Sequence, residues 1–224
     1  MNIEAEEGRR VGCSYPPTVW DCYSNGWKQM TGHFLELLLI TVIMFAVSAP
    51  IWWAGVLDEL EYPGAVLFNL FAMGYYILII GPVGYGSFYA FLRAARGDGP
   101  QVKDMFHFTE NYLNVVLARL LSAFIICVGM MLFIIPGIIF ACKLAFVSFL
   151  VVEEKMDAVE AVKESWRMTN GHAMTIFLFG ICTIPIALAG LICMGVGIVV
   201  SVMWIKATLA SIYHSVKITQ ETGA

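Results

Sequence analysis

Stretches without a single charge constrain this chain more than any other feature. Residues 37–57 and 62–92 hold no Asp, Glu, Lys or Arg. Residues 120–142 and 144–152 are separated only by Lys143, and 173–205 and 207–216 only by Lys206. A helix needs about 20 apolar residues to cross the hydrocarbon of a bilayer. The third and fourth blocks are each long enough to do so twice. Charged residues make up 13% of the 224 and apolar ones 59%, against about 25% charge in a typical soluble domain. The chain therefore reads as an all-α integral membrane protein.

Each of the two longest blocks has a break near its middle. Pro136-Gly137 divides one and Gly195-x-Gly197 the other, while Pro63-Gly64 follows an acidic loop with Asp58, Glu59 and Glu61. Proline opens a helix well and glycine closes one well. The expected architecture is six transmembrane helices in three helical hairpins: 34–57 with 66–92, 113–134 with 136–152, and 172–193 with 197–215. Residues 1–24 are expected to be a mobile tail and 217–224 a second tail, flanking a membrane domain over 25–216. Residues 1–33 are polar, with Glu4, Glu6 and Glu7 ahead of Arg9 and Arg10, and do not resemble a cleaved leader.

The basic residues orient the spans. Arg9, Arg10, Lys28, Arg93, Arg96, Lys103, Lys155, Lys163, Arg167 and Lys217 fall on one side of a six-span path, and the short connections on the other side hold none. Basic loops stay in the cytoplasm, so both termini are expected there, with the protein in the cell membrane. A five-span path would move Lys155, Lys163 and Arg167 across and breaks the pattern.

Two strings match. "NGWKQMTGHFL" (25–35) and "ESWRMTNGHAM" (164–174) both place Trp, a basic residue, Gly and His just before an apolar run. Asp157 and Glu160 form a capping-box pattern, and Val159, Val162 and Trp166 then recur at helical spacing. A short interfacial helix stopped at Gly171 is expected, with a counterpart stopped at Gly32. Trp27, Trp166, His33 and His172 are its expected interfacial anchors. "VKDMFHFTENY" fits the same place before the middle hairpin, anchored by Phe106, Phe108 and Tyr112. Lys143 and Ser148 share a spacing with Lys206 and Ser211, and Pro82 with Ser87 repeats it. The expected unit, an interfacial helix on the cytoplasmic side followed by a hairpin, recurs three times in parallel.

The run 134–172 carries Pro136-Gly137-Ile138, the pair Glu153-Glu154, then Ala161, Ser165, Trp166 and Gly171. It resembles the membrane domain that accompanies some glycerophosphodiester phosphodiesterases, and related bacterial multi-pass families of uncharacterised function. The resemblance implies a fold and a membrane location. It implies no phosphodiesterase activity, because no long soluble α/β segment is present.

Three cations lie inside the spans: Arg119, Lys143 and Lys206. Counted at about 1.5 Å per residue, Arg119 sits nearest its cytoplasmic end, Lys206 deeper, and Lys143 near the midplane. Glu36 is the one acid beside the spans and cannot neutralise all three. One reading places Lys143 and Lys206 on a common cavity, where with Arg119 they hold an anionic lipid or a translocated anion. The other has them snorkel or bond to carbonyls and orient the helices.

His33, His107, His172 and His214 sit in separate segments without metal-ligand spacing, and the six cysteines form no C-x-x-C pair, so neither a metal nor a disulfide is expected. No cofactor box, phosphate loop or nucleophile–base pair stands out, and no basic groove suggests nucleic acid. The function expected is that of a non-enzymatic multi-pass protein that binds membrane lipids, anionic ones included, or a membrane-protein partner, as a scaffold or accessory subunit. The alternative is a small transporter or channel for an anionic or amphiphilic solute that passes Lys143 and Lys206.

Overall fold

A computed structural model describes residues 18–59, 64–170, 172–193 and 196–222. Among these residues the chain is helical apart from short connections and has no strand. Six helical stretches are long and apolar enough to cross a membrane: Phe34–Trp53, Val66–Ala95, Val102–Leu132, Ile135–Glu153, Met174–Ile192 and Gly197–Gln220. The protein is an all-α multi-pass membrane protein of six spans. Gly171, Gly195, Glu61 and residues 1–17 lie outside the described residues.

Helix α1 (Val19–Gly32) is amphipathic and precedes α2 (Phe34–Glu59), the first span. It begins at Val19, earlier than the repeat around Trp27 led us to expect. The second span is α3 (Ala65–Tyr75), a π-helical turn (Tyr76–Ile80) and α4 (Gly81–Ala95). Pro82 causes that turn. It has no N–H to give the carbonyl of Leu78, and the Tyr112 hydroxyl donates to that carbonyl instead, at 2.7 Å.

A 3-10 segment (Val102–Asn111) leads into α5 (Tyr112–Leu132). The capping box forms here, between Gln101 and Asp104. The fourth span is broken into α6 (Ile134–Lys143) and α7 (Val147–Glu153). This break directly after Lys143 was not expected from the sequence. Amphipathic α8 (Ala158–Thr169) follows, with Asp157 accepting the Val159 N–H at 3.4 Å. Spans α9 (Ala173–Ile192) and α10 (Val196–Thr222) complete the chain.

Each of the three short elements packs against the second helix of a hairpin. α1 lies on α10, the 3-10 segment on α4, and α8 on α6 and α7 as well as on α5. The close approaches explain the small residues there. A Cβ at Gly86 of α4 would fall 1.9 Å from the Met105 carbonyl of the 3-10 segment. One at Gly26 of α1 would fall 2.5 Å from Thr208 Oγ1 of α10.

The first helices of the hairpins keep apolar faces exposed along their length: Leu39, Phe45 and Trp52 on α2, Leu117 and Phe124 on α5, Phe177 and Leu188 on α9. A helix apolar all round suits a membrane span. The second helices hold the interior. Phe91, Phe149, Leu150, Met203 and Tyr213 are fully buried, and Ser87, Ser148 and Ser211 at the repeated spacing are buried as well. Phe88 and Phe149 meet edge-on at 5.4 Å, and Tyr213 stacks on Phe149 at 4.6 Å.

Below this aromatic layer the second helices are tied together by charge. Arg96 of α4 pairs with Glu153 of α7. Lys217 of α10 reaches Glu153 at 3.0 Å, and the Tyr213 hydroxyl donates to it at 2.8 Å. Arg93 binds both oxygens of Asp104 at 2.8 and 2.9 Å. We refer to this as the basic end, and to the end near Trp53 and Ile192 as the far end.

Candidate functional site

The three intramembrane cations are not gathered into one site, and their neighbours do not overlap. Lys206 Nζ donates to Ser87 Oγ at 2.7 Å and lies over the rings of Phe88 at 5.1 Å and Phe91 at 5.7 Å. Lys143 donates to the Asn170 side chain and lies over the Trp166 ring at 5.5 Å. Arg119 donates to the Tyr76 hydroxyl at 2.6 Å, with its guanidinium 4.9 Å from the Tyr76 ring and 5.9 Å from that of Tyr85. Among the described residues none of the three forms an ion pair.

One arrangement thus recurs: a ring face plus a neutral oxygen. A cation within about 6 Å of a ring centroid is attracted by the ring quadrupole, by about 2 kcal/mol when desolvated. A hydrogen bond from a charged donor adds about 1.5–3 kcal/mol. Together these are enough to offset the about 2.5–3.5 kcal/mol insertion cost of an intramembrane cation. No bound anion is required by this balance. Sequence reasoning missed the aromatic partners because Phe88, Tyr76 and Trp166 come from other helices than the cations they meet.

Of the expected interfacial anchors, the two histidines stand at helix junctions. His33 links α1 to α2 and His172 links α8 to α9, with closely similar backbone angles, φ −121° and ψ 39° against φ −114° and ψ 7°. Each carbonyl accepts the first turn of the span that follows, from Leu37 and Ile176. Trp166 packs on Phe140 and Trp27 on Trp204, with ring centroids at 5.7 and 5.0 Å.

α8 also closes the break in the fourth span. The Ser165 hydroxyl donates to the Lys143 carbonyl at 2.8 Å and accepts the Phe146 N–H at 3.3 Å. His107 stacks on Tyr89 at 4.7 Å. Cys22 is disulfide-bonded, which corrects the expectation of a free thiol there, while Cys127, Cys142, Cys182 and Cys193 are free.

An open site lies elsewhere, on the side of the bundle where α1, α9 and α10 meet. A cavity of about 600 Å³ is lined by Trp20, Tyr23, Trp27, Pro185, Ile186 and Trp204, among others. A second of about 540 Å³ shares Trp27, Pro185, Ile186 and Trp204 and continues past Ala189 to Cys193 and Gly197. The two form one lateral groove. Among the described residues no Asp, Glu, Lys, Arg or His lines it.

Three polar groups of its walls are turned away. Tyr23 donates to the Phe179 carbonyl at 3.1 Å, Trp204 Nε1 to the Tyr23 carbonyl at 3.0 Å, and Ser201 to the Ile186 carbonyl at 3.1 Å. Burial pushes the Tyr23 phenol up from its ordinary value, so it stays a donor at neutral pH. The spacing of Trp20, Ser24 and Trp27 on one helical face could have announced this wall.

No family model matches the chain, and no solved structure matches it.

Proposed function

We propose that this is a non-enzymatic membrane protein that binds lipid in the lateral groove, as a scaffold or accessory subunit. Its intramembrane cations then orient helices and do not bind the ligand. The observation that carries this reading is the contrast between the two candidate sites. Lys143, Lys206 and Arg119 already have ring faces and acceptors, whereas the groove is open, apolar and bounded by membrane-spanning helices. The resemblance of residues 134–172 to the membrane domain of glycerophosphodiester phosphodiesterases supports a lipid setting without supplying a reaction. The positive-inside rule favours a cytoplasmic basic end and the cell membrane as the location.

Native mass spectrometry of the detergent-extracted protein tests the proposal. Wild type is expected to retain lipid, and Lys143→Met and Lys206→Met to retain it equally. Ala189→Phe, which places a ring in the groove, is expected to lose it. Loss of lipid from the lysine variants with retention in Ala189→Phe would move the site to the cations.

A transporter for an anionic or amphiphilic solute is the second reading. It is favoured by Lys206, which lies between α10 and α4 with no carboxylate partner among the described residues. It requires a water path to that lysine. A cysteine at position 206 would then react with a membrane-impermeant charged thiol reagent; the lipid-binding reading expects it to stay unmodified.

A further inference from the structure

Building on the lipid-binding reading above, we propose that the groove holds one acyl chain of a lipid from the far-end leaflet, and that it selects for the chain and not for the head group. Its length argues for this. Along α9 the lining runs from Cys182 to Cys193, which at 1.5 Å per residue is about 16 Å. That is about one leaflet of a hydrocarbon core roughly 30 Å thick.

The groove also ends where a chain would end. α1 fills the space toward the basic end, held by the Gly26 contact with Thr208 and by Trp27 against Trp204. Toward the far end the lining passes the close approach of Gly190 to Ser201 and stops at Cys193 and Gly197. The chain therefore enters from the side and points its methyl end at Trp27 and Trp204.

Size separates a chain from a helix of a second copy. A helix is about 10 Å across, so a 16 Å length of it fills roughly 1,200 Å³ as a cylinder. The two cavities along that length, about 600 and 540 Å³ with four lining residues in common, hold less than this together. Chemistry favours a chain over a head group. A phosphate or choline is held by charge or charge-assisted hydrogen bonds; no charged side chain among the described residues lines the groove, and Tyr23, Trp204 and Ser201 spend their donors on backbone carbonyls.

Quenching of tryptophan by brominated lipid tests this. A variant that keeps Trp27 and Trp204, with the other four tryptophans changed to Phe, would be placed in vesicles of phosphatidylcholine or phosphatidylglycerol. The acyl chains would carry bromine near the carbonyl or near the terminal methyl. Methyl-end bromine is expected to quench severalfold more than carbonyl-end bromine, equally for both head groups, and Ala189→Phe should remove the difference. Depth-independent quenching, or quenching confined to one head group, would overturn the inference. So would quenching relieved by dimerisation, which would name a second copy as the occupant. The depth comparison needs no groove variant, so a misfolded Ala189→Phe leaves it intact. If native mass spectrometry shows retained lipid while the quenching is flat, the acyl-chain inference fails and the lipid-binding reading stands; if no lipid is retained, both fail.

Discussion

Lys206 has exchanged water for the oxygen of Ser87 and the faces of Phe88 and Phe91. A group held this way orients two helices without giving them much net stability, because desolvation offsets what the contacts supply. Lys206→Met is therefore expected to change stability by less than about 1 kcal/mol, of either sign. Ser87→Ala keeps the charge and removes its acceptor, and should cost about 1.5–3 kcal/mol. The double variant should lose little beyond Lys206→Met, giving a coupling that detergent-phase thermal unfolding can read. Equal and additive losses would show that the pair does not interact.

The position of each cation was legible from the gaps between charges. Its environment was not, since Phe88 and Lys206 are far apart in sequence and nothing local links them. Lys143 shows the same gap in reverse. Its depth count assumed an unbroken fourth span, and the break at residues 144–146 depends on Ser165 of another helix.

Among the elements, the short amphipathic helices decide how the spans meet. Gly86 and Gly32 separate two uses of glycine. A Cβ at Gly86 meets backbone at 1.9 Å, and one at Gly32 meets nothing within 4 Å. Gly86→Ala must push the 3-10 segment off α4 and is expected to cost about 1–3 kcal/mol. Gly32→Ala should be neutral or stabilising by up to about 1 kcal/mol, because the residue ends a helix without positive φ. Melting temperatures of the two variants in one detergent would check this.

The break between α6 and α7 gives a second prediction. Ser165→Ala leaves the buried Phe146 N–H without its acceptor, at a cost of about 1–3 kcal/mol. Hydrogen exchange should rise at residues 144–147 and stay level in α10; a uniform rise would mean that Ser165 acts on the whole fold. The Trp-basic-Gly-His repeat made α1 and α8 legible before any coordinates. Where they dock was not, because that depends on Gly26, Thr208 and Ser165 meeting across hairpins.

At the scale of the whole molecule, three second helices converge at the basic end on Glu153. The Glu153→Gln variant removes the charge that Arg96 and Lys217 share. These pairs are partly buried and Lys217 keeps Glu154, so the expected cost is about 1–3 kcal/mol, between the exposed and buried limits, whereas removing the exposed Lys155 partner of Glu110 should leave stability unchanged. We infer from the matching contacts of α1, the 3-10 segment and α8 that the three hairpins are repeats of one unit arranged around this point.

Orientation remains the link between fold and membrane, and two observations pull on it in opposite directions. By the positive-inside rule the basic residues favour a cytosolic Glu153 end. The bonded Cys22 lies in α1 against α10, and disulfides are rare in a reducing compartment. The charge bias involves many residues and insertion depends on it directly, so we expect the buried Cys22 to be reduced in cells, and to be alkylated once the protein is denatured without added reductant.

The most direct measurement is the labelling of single cysteines by an impermeant maleimide in intact cells. It would use a variant without native cysteines, carrying Thr219→Cys at the basic end or Ile192→Cys at the far end. The account predicts that position 192 is labelled at once and position 219 only after the membrane is opened. Labelling of 219 in intact cells, with 192 protected, would reverse the orientation and assign the groove to the inner leaflet. Labelling of both would contradict the pairing of spans on which the groove depends.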